Sequence, residues 1–220
     1  MVNTLVDKEA TQQPDFAWII LAGGQGRRMG LQDKGWLEYQ GQPLITRLVA
    51  QLSELGPDIP IIINANQNIE AYQALGYPVI SDAQLDFQGA LSGLLNVMQT
   101  STIQPHQAWL TWPVDAPFVV SDYLSKMTDT LAHSLTDRII DLAVAKRQTT
   151  SAELVEVQLQ YTHLLIKPRL QSSLQRYLKA GRRSMKGWIA TLPADQVVSV
   201  TFNETASSQW INLNQPEDFK

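Results

Sequence analysis

The segment Trp18-Ile-Ile-Leu-Ala-Gly-Gly-Gln-Gly-Arg-Arg-Met-Gly-Leu-Gln-Asp-Lys34 constrains the fold more than any other part of the chain. The apolar run Phe16 to Ala22 reads as a strand. It opens into a loop holding Gly23, Gly24, Gly26 and Gly30 beside Arg27, Arg28 and Lys34. Glycine tolerates φ > 0 and has no side chain in the way, so backbone N–H groups can converge on an anion. Arg and Lys beside such a nest supply the charge to hold several phosphates. A strand feeding this loop points to a nucleoside triphosphate site. A plain structural turn would account for the glycines but not for the cations. The loop lacks the Gly-x-x-x-x-Gly-Lys-Ser/Thr pattern of P-loops. Its third glycine also comes one residue late for the dinucleotide fingerprint.

The surroundings of the loop read as an α/β sheet, because short apolar runs alternate with helical periodicities. Strands are expected at Phe16–Ala22, Trp36–Tyr39, Ile59–Asn64, Tyr77–Ser81, Ala108–Thr111, Ile139–Ala145, Tyr161–Ile166 and Val197–Val200. Glu153–Gln160 beside Tyr161–Thr162 suggests a small mixed or antiparallel element. Leu44, Leu48, Leu52 and Leu55 share one helical face, as do Leu91, Leu94, Leu95 and Met98 after Gly89. Ser121 suits the N-cap of a helix burying Leu124, Met127 and Leu131, and Pro168 the first turn of one burying Leu170, Leu174, Tyr177 and Leu178. The expected architecture is α/β: one mostly parallel sheet covered by helices on both faces, in a single domain over residues 16–220, preceded by a mobile polar tail over residues 1–15.

Composition narrows the function. The 220 residues are 44% hydrophobic with a net charge of −4, which argues against a broad nucleic-acid grip. With no cysteine, disulfides, thiol catalysis and cysteine metal sites are excluded, and the three histidines (His106, His133 and His163) are too scattered to suggest a zinc cage. No apolar run approaches the roughly 20 residues that cross a bilayer, and the first 15 residues lack a signal-peptide core. A cytoplasmic protein is expected.

Several residues that could do chemistry follow predicted strands, at the carboxyl ends where open α/β sheets bind ligands. Lys34, and with it Arg28 or Arg27, can neutralise charge developing on a leaving pyrophosphate. Asp115, after an apolar strand, suits Mg²⁺, which takes one or two protein carboxylates and completes its shell with phosphate and water. Asp before Ala116-Pro117 suits a helix N-cap equally well. The Asp82 carboxylate could accept the paired N–H edge of guanine, hold ribose hydroxyls, or cap a turn. Asn64 ends its strand, where a left-handed turn is the alternative. Gly89, Leu91 and Gly93 open a helix, allowing either close approach of a ligand or tight helix–sheet packing. Arg182, Arg183 and Lys186 read as a solvated helix face or an anion site. Asn214-Gln-Pro-Glu217 reads as a capping box.

Leu21-Ala-Gly-Gly-x-Gly-x-Arg28-Met-Gly-x-x-Asp-Lys34 resembles the signature loop of the molybdenum cofactor guanylyltransferases, a branch of the nucleotidyltransferases. The resemblance continues through Gly41-Gln-Pro-Leu44, Ile63-Asn-Ala-Asn66, Ile80-Ser-Asp82, Gly89-Ala-Leu-Ser-Gly93, Pro113-Val-Asp-Ala-Pro117 and Asn212-Leu-Asn-Gln-Pro-Glu217. It implies a Rossmann-like three-layer sandwich of the nucleotide-diphospho-sugar-transferase type. It also implies transfer of GMP from Mg²⁺-GTP to the terminal phosphate of Mo-molybdopterin, giving the guanine dinucleotide and pyrophosphate. By the same resemblance Leu21, Ala22, Gly23, Gly24, Gly26, Lys34, Asn64, Asp82 and Asp115 handle the nucleotide. Asp115 holds the metal, and Arg183, Asn212 and Asn214 face the acceptor. Transient contacts with other cofactor-synthesis or apoenzyme proteins are a further expectation. The chain departs from the family pattern at Ala90 and Tyr161, where proline is usual, and at the bulky Trp112. A molybdopterin cytidylyltransferase, a sugar-phosphate nucleotidyltransferase or a non-catalytic GTP-binding adaptor are the alternatives.

Overall fold

The computed structural model describes residues 16–24, 32–82, 89–100, 108–132, 140–150, 155–204 and 210–219. Gly26, Arg27, Arg28, Gly30, His106, His133, Ile139, the start of the Glu153–Gln160 element and the 1–15 tail lie outside these residues, as does the Leu131 side chain. In chain order the elements are β1 (Phe16–Leu21), β2 (Glu38–Tyr39), β3 (Gln42–Pro43), α1 (Leu44–Leu55), β4 (Ile61–Asn64), α2 (Ile69–Gln73), β5 (Val79–Ile80) and α3 (Ala90–Gln99). They continue with β6 (Ala108–Pro113), α4 (Tyr123–Ala132), β7 (Leu142–Thr150), β8 (Val155–Ile166), α5 (Gln171–Lys179), α6 (Met185–Ile189) and β9 (Val197–Glu204).

Seven strands form the main sheet in the order β5-β4-β1-β6-β8-β7-β9. All pairings are parallel except those of β8, which runs antiparallel to both β6 and β7. The chain builds outward from β1 to β4 and β5, then returns to place β6 on the other flank of β1. That reversal is the topological switch point at which α/β sheets open a crevice. Successive side chains of β1 point to opposite faces. Trp18 and Ile20 pack with α1 and α4, while Ala17, Ile19 and Leu21 pack with α3, α5 and α6, which makes the three layers. Burial on both faces is why this strand reads as a continuous apolar run. The expected helical faces are the packed ones: Leu44, Leu48, Leu52, Leu91, Leu94, Leu170, Leu174, Tyr177 and Leu178 are all buried.

Local chemistry displaces two expectations. Trp36–Tyr39 is not one strand, because Lys34–Trp36 forms a 3-10 turn whose Gly35 N–H is taken by the Asp33 carboxylate at 3.1 Å. Only Glu38–Tyr39 pairs, in a hairpin turned by Gln40 (φ 52°) and Gly41 (φ 75°), the positive-φ pair of a tight hairpin. Secondly, α4 begins after Ser121: its first intrahelical bond runs from the Lys126 N–H to the Asp122 carbonyl. The expected antiparallel element is present as β8, a continuous strand inside the main sheet that runs antiparallel to both neighbours. The apparent break at Gln160/Tyr161 is a bulge. Val144 pairs with Leu164 and Ala145 with Gln160, so Tyr161, Thr162 and His163 have no partner on β7.

The bulge re-aims side chains. His163 enters a fully buried aromatic cluster, with its ring 4.5 Å from Trp112 and 5.1 Å from Trp210, and Tyr123 and Phe202 complete the group. Burial among rings penalises imidazolium and pushes the His163 pKa from 6.5 down to about 3. The unfolded chain therefore binds this proton more readily than the folded one. Stability from this residue is complete above about pH 6.5 and declines below it by about 1.4 kcal/mol per pH unit, down to its folded pKa. Denaturant melts between pH 7 and pH 4 should show this slope in the wild type and lack it in His163→Leu.

Candidate active site

The crevice over β1 is a cavity of about 410 Å³, within the range of small-molecule sites. Leu21, Ala22, Gly23 and Gly24 after β1, Asn64 ending β4, Ala90 opening α3, and Pro113, Val114 and Asp115 after β6 line it. Thr162 from the β8 bulge, Lys34, Asn212 and Asn214 complete the wall.

Asn64 is buried, and its amide donates to the Ile80 carbonyl at 3.0 Å and to Asp82 Oδ1 at 3.1 Å. The Asn66 amide donates to Asp82 Oδ2 at 2.9 Å and to the Gly23 carbonyl at 3.1 Å, while its own oxygen accepts the Asp82 N–H at 2.8 Å. Asp82 is thus a carboxylate oriented by side-chain amides on both oxygens. Desolvation raises its pKa, and hydrogen bonds from Asn64, Asn66 and Asn96 work against the rise by favouring the anion. Asn66 had no assigned role in the sequence reading, although it lies in the Asn-Ala-Asn motif. The signal was its spacing: strand periodicity returns every second residue to the same side.

At the other wall, Lys34 Nζ donates to Asp115 Oδ2 at 3.1 Å and to Asn214 Oδ1 at 2.8 Å. Asp115 precedes no helix, since α4 starts only at Tyr123, so the N-cap alternative lapses. Its backbone carbonyl instead accepts the Leu213 N–H at 2.8 Å, which ties the C-terminal segment to this loop. The expected capping box takes another form. Asp218, not Glu217, reaches back to accept the N–H groups of Asn214 and Gln215, which holds its carboxyl below the usual range. The Asn214 side chain is left for Lys34. Among the described residues no three His, Cys, Asp or Glu cluster as metal ligands. A lone carboxylate already facing an ammonium still matches the donor set Mg²⁺ uses when phosphates supply the other ligands.

Arg183 does not line the cavity. Its guanidinium donates to the Leu178 carbonyl at 2.9 Å and the Arg182 carbonyl at 2.8 Å, which satisfies the C-terminal end of α5. Gly26 and Arg28 fall outside the described residues. Asn68 and Tyr72 carry no motif signal, and Asp33 stands in the loop motif without an assigned role; all three hold the Lys34 turn from outside, where they act on the backbone rather than on a ligand.

A switch-point crevice lined by a glycine segment, a lysine and a carboxylate is the architecture of an α/β nucleotidyltransferase. The chain belongs to the MobA-like NTP transferase family, whose model matches residues 18–198. It is 33% identical over 199 residues to a molybdenum cofactor guanylyltransferase of Ralstonia nicotianae, covering 90% of this chain and 92% of that protein. It is 36% identical over 202 residues to one of Shewanella putrefaciens, with 91% and 92% covered. In fold it is similar to molybdopterin-guanine dinucleotide biosynthesis protein A from Archaeoglobus fulgidus, with a TM-score of 0.63, 15% identity, and 92% and 94% covered. Among the described residues no helix is long and apolar enough to cross a membrane.

Gly93, in α3, packs against Asn64 so closely that a Cβ there would overlap the asparagine side-chain oxygen. Alanine gains roughly 1 kcal/mol of helix propensity over glycine. Gly93→Ala should nevertheless lose about 1–3 kcal/mol of unfolding free energy. It should also weaken triphosphate binding, because Asn64 must move. Denaturant melts and calorimetric titration check both.

Proposed function

We propose that this nucleotidyltransferase moves GMP from GTP onto the terminal phosphate of Mo-molybdopterin. An acceptor phosphate oxygen forms a bond to the α-phosphorus, the bond to the β-phosphate oxygen breaks, and pyrophosphate leaves with the electron pair. The observation that carries this reading is Lys34 Nζ seated between Asp115 and Asn214 in a crevice whose opposite wall holds Asn64, the residue hydrogen-bonded to the Asp82 carboxylate just outside the lining. One end of the cavity is built for charge, the other for the hydrogen-bonding edge of a base or ribose.

The attacking phosphate monoester is largely dianionic near pH 7, with its second pKa of about 6, so the reaction needs no general base. Alignment and neutralisation are then the protein's work. Lys34 supplies a fixed cation beside the phosphates, with Arg28 its expected partner from the glycine loop. Backbone groups of Leu21, Ala22, Gly23, Gly24 and Gly26 approach the nucleotide, and Asn64 holds Asp82 against it. Asn212 and Asn214 face the acceptor side, and the resemblance alone adds Arg183 there. Asp115 would hold Mg²⁺, which when bound withdraws charge from the phosphoryl oxygens. A cytoplasmic setting and transient contacts with proteins that supply the acceptor belong to the same proposal.

The test is pyrophosphate release with Mo-molybdopterin, Mg²⁺ and each of the four nucleoside triphosphates. Release with GTP alone supports the reading. Release with CTP alone would make the protein a cytidylyltransferase, and GTP binding without release would make it an adaptor. Lys34→Ala should lower turnover by about 10²–10³-fold, the scale of one lost electrostatic contact. Asp115→Asn should lose at least as much and should also lose the dependence of rate on Mg²⁺ concentration.

A further inference from the structure

We infer that Asp33, Tyr72 and Asn68 form a clamp that positions Lys34, and that α2 exists largely to supply it. This rests on the role of Lys34 given above and extends it to residues outside the lining of that crevice.

Asp33 is a buried carboxylate spent entirely inside the protein. Its Oδ1 accepts the Gly35 N–H at 3.1 Å and the Tyr72 hydroxyl at 2.7 Å, and its Oδ2 accepts the Asn68 amide at 3.2 Å. The first bond closes the 3-10 turn that begins at Lys34. The other two come from Tyr72 in α2 and from Asn68, the residue just before that helix. Burial and the Asp33 carboxylate together push the Tyr72 pKa far up, so the hydroxyl stays protonated and keeps donating. The Tyr72 ring lies 5.3 Å from that of Trp36, and a Cβ at Gly35 would overlap its hydroxyl. One tyrosine therefore touches the turn at Asp33, Gly35 and Trp36.

Asn68 argues independently for this purpose. It stands at the N-cap position of α2, where asparagine ordinarily accepts from its own helix. Here it makes no such bond and adopts the left-handed conformation at φ 47° and ψ 36°. Its amide is directed to Asp33 instead. A helix of only five residues gives up its own cap so that the turn across the crevice is held.

Lys34 is flexible by itself, with four carbons between backbone and charge. Clamping its backbone leaves only the side chain to order when the ammonium meets phosphate. A misplacement of about 1 Å at a reacting centre can cost on the order of a hundredfold in rate. Asp33, Tyr72 and Asn68 are therefore positioning residues.

The test is a set of variants in the full chain, read by pyrophosphate release with GTP, by thermal unfolding and by crystallography. Asp33→Asn is expected to lower kcat by about tenfold to a hundredfold, since it sets the introduced amide donor-to-donor against Asn68. Adding Asn68→Asp turns that contact back into donor and acceptor and should restore most of the rate. Tyr72→Phe should lower kcat by roughly tenfold through one lost hydrogen bond to a charge. In the Lys34→Ala background Asp33→Asn should have almost no further effect, because the clamp acts through Lys34. Rates within twofold of wild type in folded Asp33→Asn and Tyr72→Phe would overturn the inference, as would full additivity with Lys34→Ala. If no nucleotide gives turnover, the proposed function fails by itself. The crystal structure of Asp33→Asn then decides the clamp: Lys34 Nζ displaced from Asp115 and Asn214 supports it, and an unmoved Nζ overturns it.

Discussion

Lys34 stands 81 residues from Asp115 and 180 from Asn214, yet its ammonium touches both. The contact joins the segment after β1, the loop after β6 and the C-terminal tail at one point over the sheet. Its value is not chiefly stability. The Lys34 and Asp115 side chains keep 19% and 22% of their exposure, and ion pairs with that access to water contribute little to folding. The three segments converge because the sheet reverses direction at β1, which places the ends of β1, β4 and β6 side by side. A cation and an anion brought together in a half-closed crevice are a place for phosphate chemistry more than a brace.

What keeps that crevice in shape lies beneath it and behind it. Below the Asp115 loop, Trp112 packs edge-on to Tyr123 and His163 and donates its Nε1–H to the Ala116 carbonyl at 2.7 Å. Each of three ring-bearing residues sits next to a cleft segment in sequence: Trp112 before Pro113, His163 after Thr162, Trp210 before Ile211-Asn212. One packed aromatic group thus fixes the floor under three otherwise unrelated loops. Large rings at close contact leave little room to shift, because protein interiors respond to misplaced volume with strain. The unusual bulk of Trp112 is absorbed by this group rather than projected into the cavity.

The two walls divide the chemistry. On the Asp82 side the polar groups are neutral amides arranged around one carboxylate, suited to reading hydrogen-bond donors. On the Asp115 side a cation and a carboxylate meet with room for more charge. Gly23 lies between them: its carbonyl accepts from Asn66, and a Cβ there would crowd both Asn64 and Asn66. The glycine segment therefore links the walls as well as offering backbone to a ligand.

Much of this was legible in the residues. Burial on both faces makes β1 a continuous apolar run, and helices packed on one face show it in their periodicity. The start of the glycine loop, Asn64, Asp82 and Asp115 each stand at or just after the end of a strand, which is where the crevice lies. Other features follow from contacts between distant residues, which periodicity cannot carry. Pairing on both sides makes β8 an interior strand, and the bulge that sends Thr162 to the cleft and His163 to the core depends on register with β7. The Lys34 turn replaces an expected strand because Asp33 meets Tyr72 from α2 and Asn68 just before it. Asn214 faces Lys34 because Asp218 takes over its capping role. The sequence by itself determined the layers, the sheet and the ends at which a ligand binds, since these depend on local pattern and backbone chirality. Only the tertiary structure decided which polar side chains are spent on holding the site and which remain for the ligand, because a hydrogen-bonding group has no assigned partner until the chain has folded around it.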